Sequence, residues 1–276
     1  LVLTIDRNIQ HAADRALRKT IETTGAKAAW AMVMDVRSGE LLAVSNQPTV
    51  NLNNRRAITL QKLKNNALSA VYEPGSVMKP IIAAIAINLG IFTTGTYIDC
   101  EGGTWRAAGK WIRDDHPQKV LTLTEVIQHS SNIGIAKVAL TTGPEKVIQG
   151  LKQLGFGRRH DIDFPGMSAG VLRSAERIKP IELITTSYGY GMNTSMLHMV
   201  SAFATLGNGG TMMRPYLVKE RRTADMEPLQ TTRPEPISKV YKEETAKEVI
   251  EMMEAVVTDG TAKNAAIPGY RVAGKT

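Results

Sequence analysis

The chain has 276 residues, 43% of them hydrophobic, enough for one or two cores, yet no run approaches the roughly 20 apolar residues needed to span a bilayer. A single Cys100 excludes an intrachain disulfide within these residues and, with no histidine partner evident, is expected to be a thiol without a role. The formal charge of +8 is scattered in short groups such as Arg55-Arg56, Arg158-Arg159-His160 and Lys219-Glu220-Arg221-Arg222, and aromatic residues make up only 5%; this argues against nucleic-acid binding and for a solvated basic face suited to anionic surfaces.

Residues 6 to 23 read as an amphipathic helix with Ile9, Ala12, Ala13, Ala16, Leu17 and Ile21 on one face. Residues 28 to 36 and 40 to 45 follow as a hairpin around Arg37-Ser38-Gly39. A polar stretch from Asn46 to Asn66 leads to Pro74-Gly75, which breaks the chain ahead of an apolar helical run from Ile81 to Ile87. Ser76 and Lys79 then fall at the first turn of that helix. Spacing of i and i+3 puts them on one face, beside unpaired backbone N–H groups that favour developing negative charge. A lysine that is desolvated and surrounded by cations loses its proton near neutral pH and can activate a serine as a base.

Helices are expected near 124–142, 144–154, 178–188 and 195–206, the first broken at Ser130-Ser131-Asn132 and capped by Thr124. Ser130 and Asn132 offer a hydroxyl and an amide that both donate and accept hydrogen bonds. Thr211 to Val218 reads as a strand, 222–237 as an irregular proline-containing connection, and Glu243 to Thr258 as a helix. Gly269 to Thr276 reads as a strand-like run ending in Lys275-Thr276, a pair suited to binding a carboxylate. No internal repeat is present. The pattern points to an α+β fold: an antiparallel sheet, from about 1–50 and 211–276, flanked by helices, with an inserted mostly helical subdomain at about 67–210.

Each motif is ordinary alone. A Ser-x-x-Lys match is expected roughly once by chance in a chain this long, and Ser-Ser-Asn at a helix break is commonly a cap. Metal and nucleotide sites have no support: His11, His116, His129, His160 and His198 lack ligand spacing, Gly189-Tyr190-Gly191 lacks the third glycine of a dinucleotide loop, and Asn208-Gly209-Gly210 precedes a strand. No metal and no cofactor are therefore expected.

In the order Ser76-x-x-Lys79, Ser130-x-Asn132 and Lys275-Thr276, the chain resembles the penicillin-binding proteins and serine β-lactamases. Leu3-Thr4-Ile5-Asp6, Asp35 to Ala43, Asn53-Asn54-Arg55-Arg56-Ala57, Tyr72-Glu73-Pro74-Gly75-Ser76 and Ser187-Tyr188-Gly189-Tyr190-Gly191 narrow the resemblance to class B penicillin-binding proteins. Ser130-Ser131-Asn132 and Ala265 to Arg271 resemble its cell-division branch, the penicillin-binding protein 3 type.

The resemblance implies a peptidoglycan D,D-transpeptidase of septal wall synthesis. Ser76 would be acylated by a D-Ala-D-Ala stem peptide or a β-lactam, Lys79 would be the base, Ser130 a proton relay and Asn132 a substrate-amide contact. Lys275 would keep Lys79 neutral and orient Ser130, and Thr276 would lie beside the substrate carboxylate. It further implies a single N-terminal anchor in the bacterial inner membrane, a periplasmic catalytic domain, and division partners including a membrane glycosyltransferase.

Leu1 is not an initiator, and the chain stops before the glycine of Lys-Thr-Gly. The remaining strands and a helix, with half of the oxyanion hole, are expected beyond Thr276. Glu145, Glu176 and Glu182 do not stand in the Glu-x-x-Leu-Asn context of a hydrolytic β-lactamase. A D,D-carboxypeptidase and a non-enzymatic β-lactam sensor stay open as alternatives.

Overall fold

A computed structural model describes residues 1–276 apart from 52, 55, 57 and 60–62; Arg55 and Ala57 of the Asn53–Ala57 motif lie outside the described residues. Asp6 starts the first helix, Arg7–Thr24, because its carboxylate accepts from Asn8 N and Ile9 N, and Gly25 ends it in the left-handed conformation. The helix lies on the hairpin of Ala29–Met34 and Leu41–Gln47. Gln10 clamps the two together: its Oε1 accepts from Val44 N at 2.8 Å while its Nε2 donates to Val44 O at 3.3 Å. Ile9, Ala13, Leu17 and Ile21 are half-buried against it, whereas Ala12 and Ala16 of the expected apolar face are exposed.

The main core forms around the Lys79–Asn88 helix, where Lys79 and every residue from Ile81 to Ala86 are buried. That helix is apolar on all sides, so it has to be enclosed. Leu123–Gln128, Asn132–Thr142, Pro144–Gln153 and Glu243–Thr258 enclose it. Burying Ile81, Ile82 and Ile85 contributes about 1.5–3 kcal/mol each. Pro180–Ser187 packs on Asn132–Thr142, and Met196–Gly207 packs on the final helix.

Several expectations change. Thr122 rather than Thr124 caps the Leu123–Gln128 helix: its hydroxyl accepts from Glu125 N while Glu125 Oε2 accepts from Thr122 N, and Thr124 Oγ1 donates to Thr94 O instead. The strand read over 211–218 divides into Thr211–Met213 and Val218–Arg222, because Pro215 cannot donate to a ladder and Arg214 N turns to Glu235 O. The connection read as irregular supplies partners for both pieces, Pro228–Thr231 and Pro236–Lys239, each with its proline at the first strand position, where a missing N–H is tolerated. Val218–Arg222 is thereby the centre of a three-stranded antiparallel sheet between Val2–Leu3 and Pro228–Thr231.

The middle of the chain is mostly helical, as expected, but also carries the paired strands Tyr97–Asp99 and Val120–Thr122 and the hairpin of Thr104–Ala107 and Lys110–Arg113. The run from Gly269 to Thr276 is not a strand, since no strand among the described residues lies beside it to pair. It runs along the last helix instead, through Gly274 N to Met253 O at 3.2 Å and an Arg271–Glu254 ion pair at 2.8 Å.

Candidate active site

Gly75–Met78 forms a tight turn that feeds directly into the Lys79–Asn88 helix, so Ser76 stands at the mouth of a helix N-terminus. The segment after Ser187 braces this turn from outside. Tyr72 and Thr194 exchange backbone hydrogen bonds of 2.9 Å, Gly75 N donates to Gly189 O at 3.1 Å, and Gly191 N donates to Glu73 Oε1 at 2.8 Å. Gly189 has to be glycine: its φ is +84°, and a Cβ there would lie 2.1 Å from Gly75 O. The Gly189-Tyr190-Gly191 segment, which falls short of a dinucleotide loop, thus bears directly on the placement of Ser76.

Lys79 is fully buried, with 0% of its surface exposed. Its Nζ donates to Ser130 O at 2.5 Å, Ser130 Oγ at 3.1 Å and Asn132 Oδ1 at 2.7 Å, which uses all three ammonium donors. Burial, the Lys275 charge and, in opposition, the charges of Asp114 and Asp115 set its proton affinity; the balance lowers its pKa from 10.5 to about 7. No hydrogen bond among the described residues joins Nζ to Ser76 Oγ. Such bonds commonly tighten only when substrate binds.

Ser130 sits in the short break between the Leu123–Gln128 and Asn132–Thr142 helices, with φ +60°. That left-handed conformation is costly for a serine and persists only where neighbours impose it. Ser131 caps the second helix through Gly134 N at 2.9 Å. Asn132 is engaged at both ends, Oδ1 by Lys79 and Nδ2 by Arg113 O at 2.9 Å, leaving one amide proton to donate.

Asp114, absent from the sequence-based site, lies at the heart of this arrangement. It is 8% exposed, and its Oδ1 accepts from Asn132 N at 2.6 Å and Ile133 N at 3.0 Å while its Oδ2 accepts from Ser131 Oγ at 2.5 Å. Only the polar run Arg113-Asp114-Asp115 after Trp111-Ile112 hints at it in the sequence.

The structure therefore gathers Lys79, Ser130 and Asn132 into direct contact. Lys275 is near enough for its charge to act on Lys79, but its Nζ donates to Thr276 O at 2.8 Å rather than to Ser130. Burial lowers its own pKa to about 8. Thr276 Oγ1 pairs with Thr261 Oγ1 at 2.9 Å. Cys100 is in the core, where burial pushes its thiol up and away from reactivity, although Ser131 Oγ approaches its sulfur at 3.5 Å. A cavity of about 540 Å³ bordered by Asp163, Arg214, Tyr216 and Arg233 contains none of the predicted residues.

Residues 29–276 match the penicillin binding protein transpeptidase domain, and the chain belongs to that family. It is similar over its whole length, at 31% identity, to the peptidoglycan D,D-transpeptidase FtsI of Escherichia coli, covering 45% of that protein. Two solved structures are similar to it. One is the transpeptidase domain of Burkholderia pseudomallei penicillin-binding protein 3, with 35% identity, TM-score 0.85, and 99% of this chain and 76% of that one covered. The other is penicillin-binding protein 3 of Mycobacterium tuberculosis complexed with aztreonam, with 29% identity, TM-score 0.93, and 100% and 63% covered. These relatives bear out the α+β penicillin-binding fold and the class B, cell-division type. The chain spans about half the length of the curated relatives it matches.

Proposed function

We propose that this chain is the acyl-transfer domain of a peptidoglycan D,D-transpeptidase of septal wall synthesis, inhibited covalently by β-lactams. The observation that carries the reading is a fully buried lysine with its pKa lowered to about 7, one helical turn from Ser76 and hydrogen-bonded to Ser130 and Asn132. At neutral pH about half of such a lysine is uncharged. Neutral Lys79 takes the proton of Ser76 Oγ as that oxygen bonds to the carbonyl carbon of the penultimate D-Ala. Ser130, in contact with Lys79, passes the proton to the departing amine as the D-Ala-D-Ala amide breaks. An amine of a second stem peptide then attacks the ester, releasing Ser76 and forming the crosslink.

Asn132 keeps one Nδ2 proton for a substrate carbonyl. Lys275 opposes protonation of Lys79, and Thr276 is the candidate to meet the substrate carboxylate. The sheet-bearing parts, about 1–50 and 211–276, and the mostly helical part, about 67–210, form one catalytic domain in this reading. Among the described residues no helix is long and apolar enough to cross a membrane. The full-length protein is proposed to be held at the inner membrane by a segment outside this chain, with this domain periplasmic and division proteins, including a membrane glycosyltransferase, as partners. Incubating full-length protein with a stem-peptide donor and an amine acceptor tests the reaction type. Crosslinked product is expected; trimmed peptide alone would overturn the transpeptidase in favour of a carboxypeptidase, and no product at all would leave only the sensor.

A further inference from the structure

Lys79 can act as described only if Ser130 Oγ and Asn132 Oδ1 are presented to it together, and nothing in the turn that carries them does so unaided. Ser130 occupies a backbone conformation that serine disfavours. Asn132 could equally turn its amide the other way, offering Nδ2 to the lysine. The end of the Lys110–Arg113 strand removes both freedoms. Arg113 O holds Asn132 Nδ2 at 2.9 Å, which points Oδ1 at Lys79. Asp114 takes the first two N–H groups of the Asn132–Thr142 helix, which have no partner within the helix, on one oxygen and the Ser131 hydroxyl on the other. These are charge-assisted bonds to a largely buried acceptor at a helix N-terminus, where a negative charge is favoured.

We infer that Asp114 is a positioning residue for acyl transfer: its carboxylate locks the Ser130–Asn132 turn in the one geometry that presents Ser130 Oγ and Asn132 Oδ1 to Lys79 Nζ. The inference rests on the transpeptidase reading of the same site. Asp114 acts through Ser131, Asn132 and Ile133 and does not touch Ser76. It has an electrostatic consequence as well. The charges acting on Lys79 are Lys275 from the C-terminal segment and Asp114 and Asp115 from the hairpin end, and the two aspartates favour the protonated lysine.

The test compares Asp114→Ala, Asp114→Asn and Ser76→Ala in the full-length protein, measuring the second-order rate of labelling by a fluorescent penicillin from pH 5.5 to 8, with thermal melting alongside. Asparagine keeps one oxygen for the two backbone N–H groups and an amide for Ser131, but carries no charge. Asp114→Ala is expected to slow labelling about 100-fold, the scale of a misplaced reacting group. Asp114→Asn is expected to recover most of that rate, with the acidic limb of the profile moved to lower pH. A merely structural aspartate would lower the melting temperature but leave the labelling rate of the folded protein unchanged. Wild-type labelling in Asp114→Ala, an unmoved limb in Asp114→Asn, or a rate in Asp114→Asn as low as in Asp114→Ala would each overturn the inference. If Asp114→Ala fails to fold, the rate and limb of Asp114→Asn decide alone. Labelling that persists in Ser76→Ala would instead overturn the acyl-enzyme reading itself, whatever Asp114 does.

Discussion

Removing the Lys275 charge should move the pH at which Ser76 becomes reactive, and the direction follows from the structure. Lys79 is lowered from 10.5 to about 7 first by burial and then by the Lys275 charge. For a base with pKa about 7, the neutral fraction rises from about one tenth at pH 6 to about nine tenths at pH 8, so acylation should rise about tenfold and level off. An ordinary lysine would give a rise of about a hundredfold over the same interval with no plateau. Lys275, itself lowered to about 8, remains mostly charged through the middle of that range. In Lys275→Gln the cation is gone while burial persists, so the limb should move to higher pH, opposite to its movement in Asp114→Asn. Stopped-flow measurement of acylation by a chromogenic cephalosporin between pH 5.5 and 8 reads the limb directly. A limb that shifts to lower pH in Lys275→Gln, or a wild-type rate still climbing steeply at pH 8, would refute the electrostatic account of Lys79.

Gly189→Ala should disturb the Ser76 turn, because its Cβ would collide with Gly75 O at 2.1 Å on a backbone that disfavours alanine; penicillin labelling should fall at least tenfold at unchanged protein concentration, and normal labelling would show that the turn does not depend on this brace. Ile82→Ala empties a fully buried position in the central helix and should destabilise by about 2–5 kcal/mol in urea unfolding. A loss well below that would mean the surrounding helices collapse onto the gap. Thr122→Ala removes the capping box and should cost about 1 kcal/mol by the same assay, whereas Thr124→Ala should leave the cap intact.

What the sequence disclosed about the site is what a helix carries within a few residues. Ser76 and Lys79 share a face because of a three-residue spacing, and Ser130 and Asn132 stand at a break between two apolar runs, so local pattern and family resemblance together found them. The Thr122-Leu123-Thr124-Glu125 box was equally legible, since threonine and glutamate stand three apart, and the Thr124 cap was a misreading of it. Asp114 was not legible, because the Val120–Thr122 strand and the Leu123–Gln128 helix lie between it and Ser130 and only tertiary folding brings its carboxylate to Ser131 Oγ. The same holds for Glu73, whose partner Gly191 is 118 residues away. Strand pairing was hidden in 222–237 by prolines that turn out to occupy first strand positions. Gly269–Thr276 shows the converse: a strand-like composition does not make a strand without a neighbour to bond to.

The central claim, that Ser76 is the acylated nucleophile, is tested most directly by intact-mass spectrometry of the full-length protein after exposure to benzylpenicillin, followed by peptide mapping. A single adduct of one penicilloyl group on the peptide containing Ser76, lost in Ser76→Ala, is the predicted result. An adduct that persists unchanged in Ser76→Ala, or maps to another serine, would contradict it.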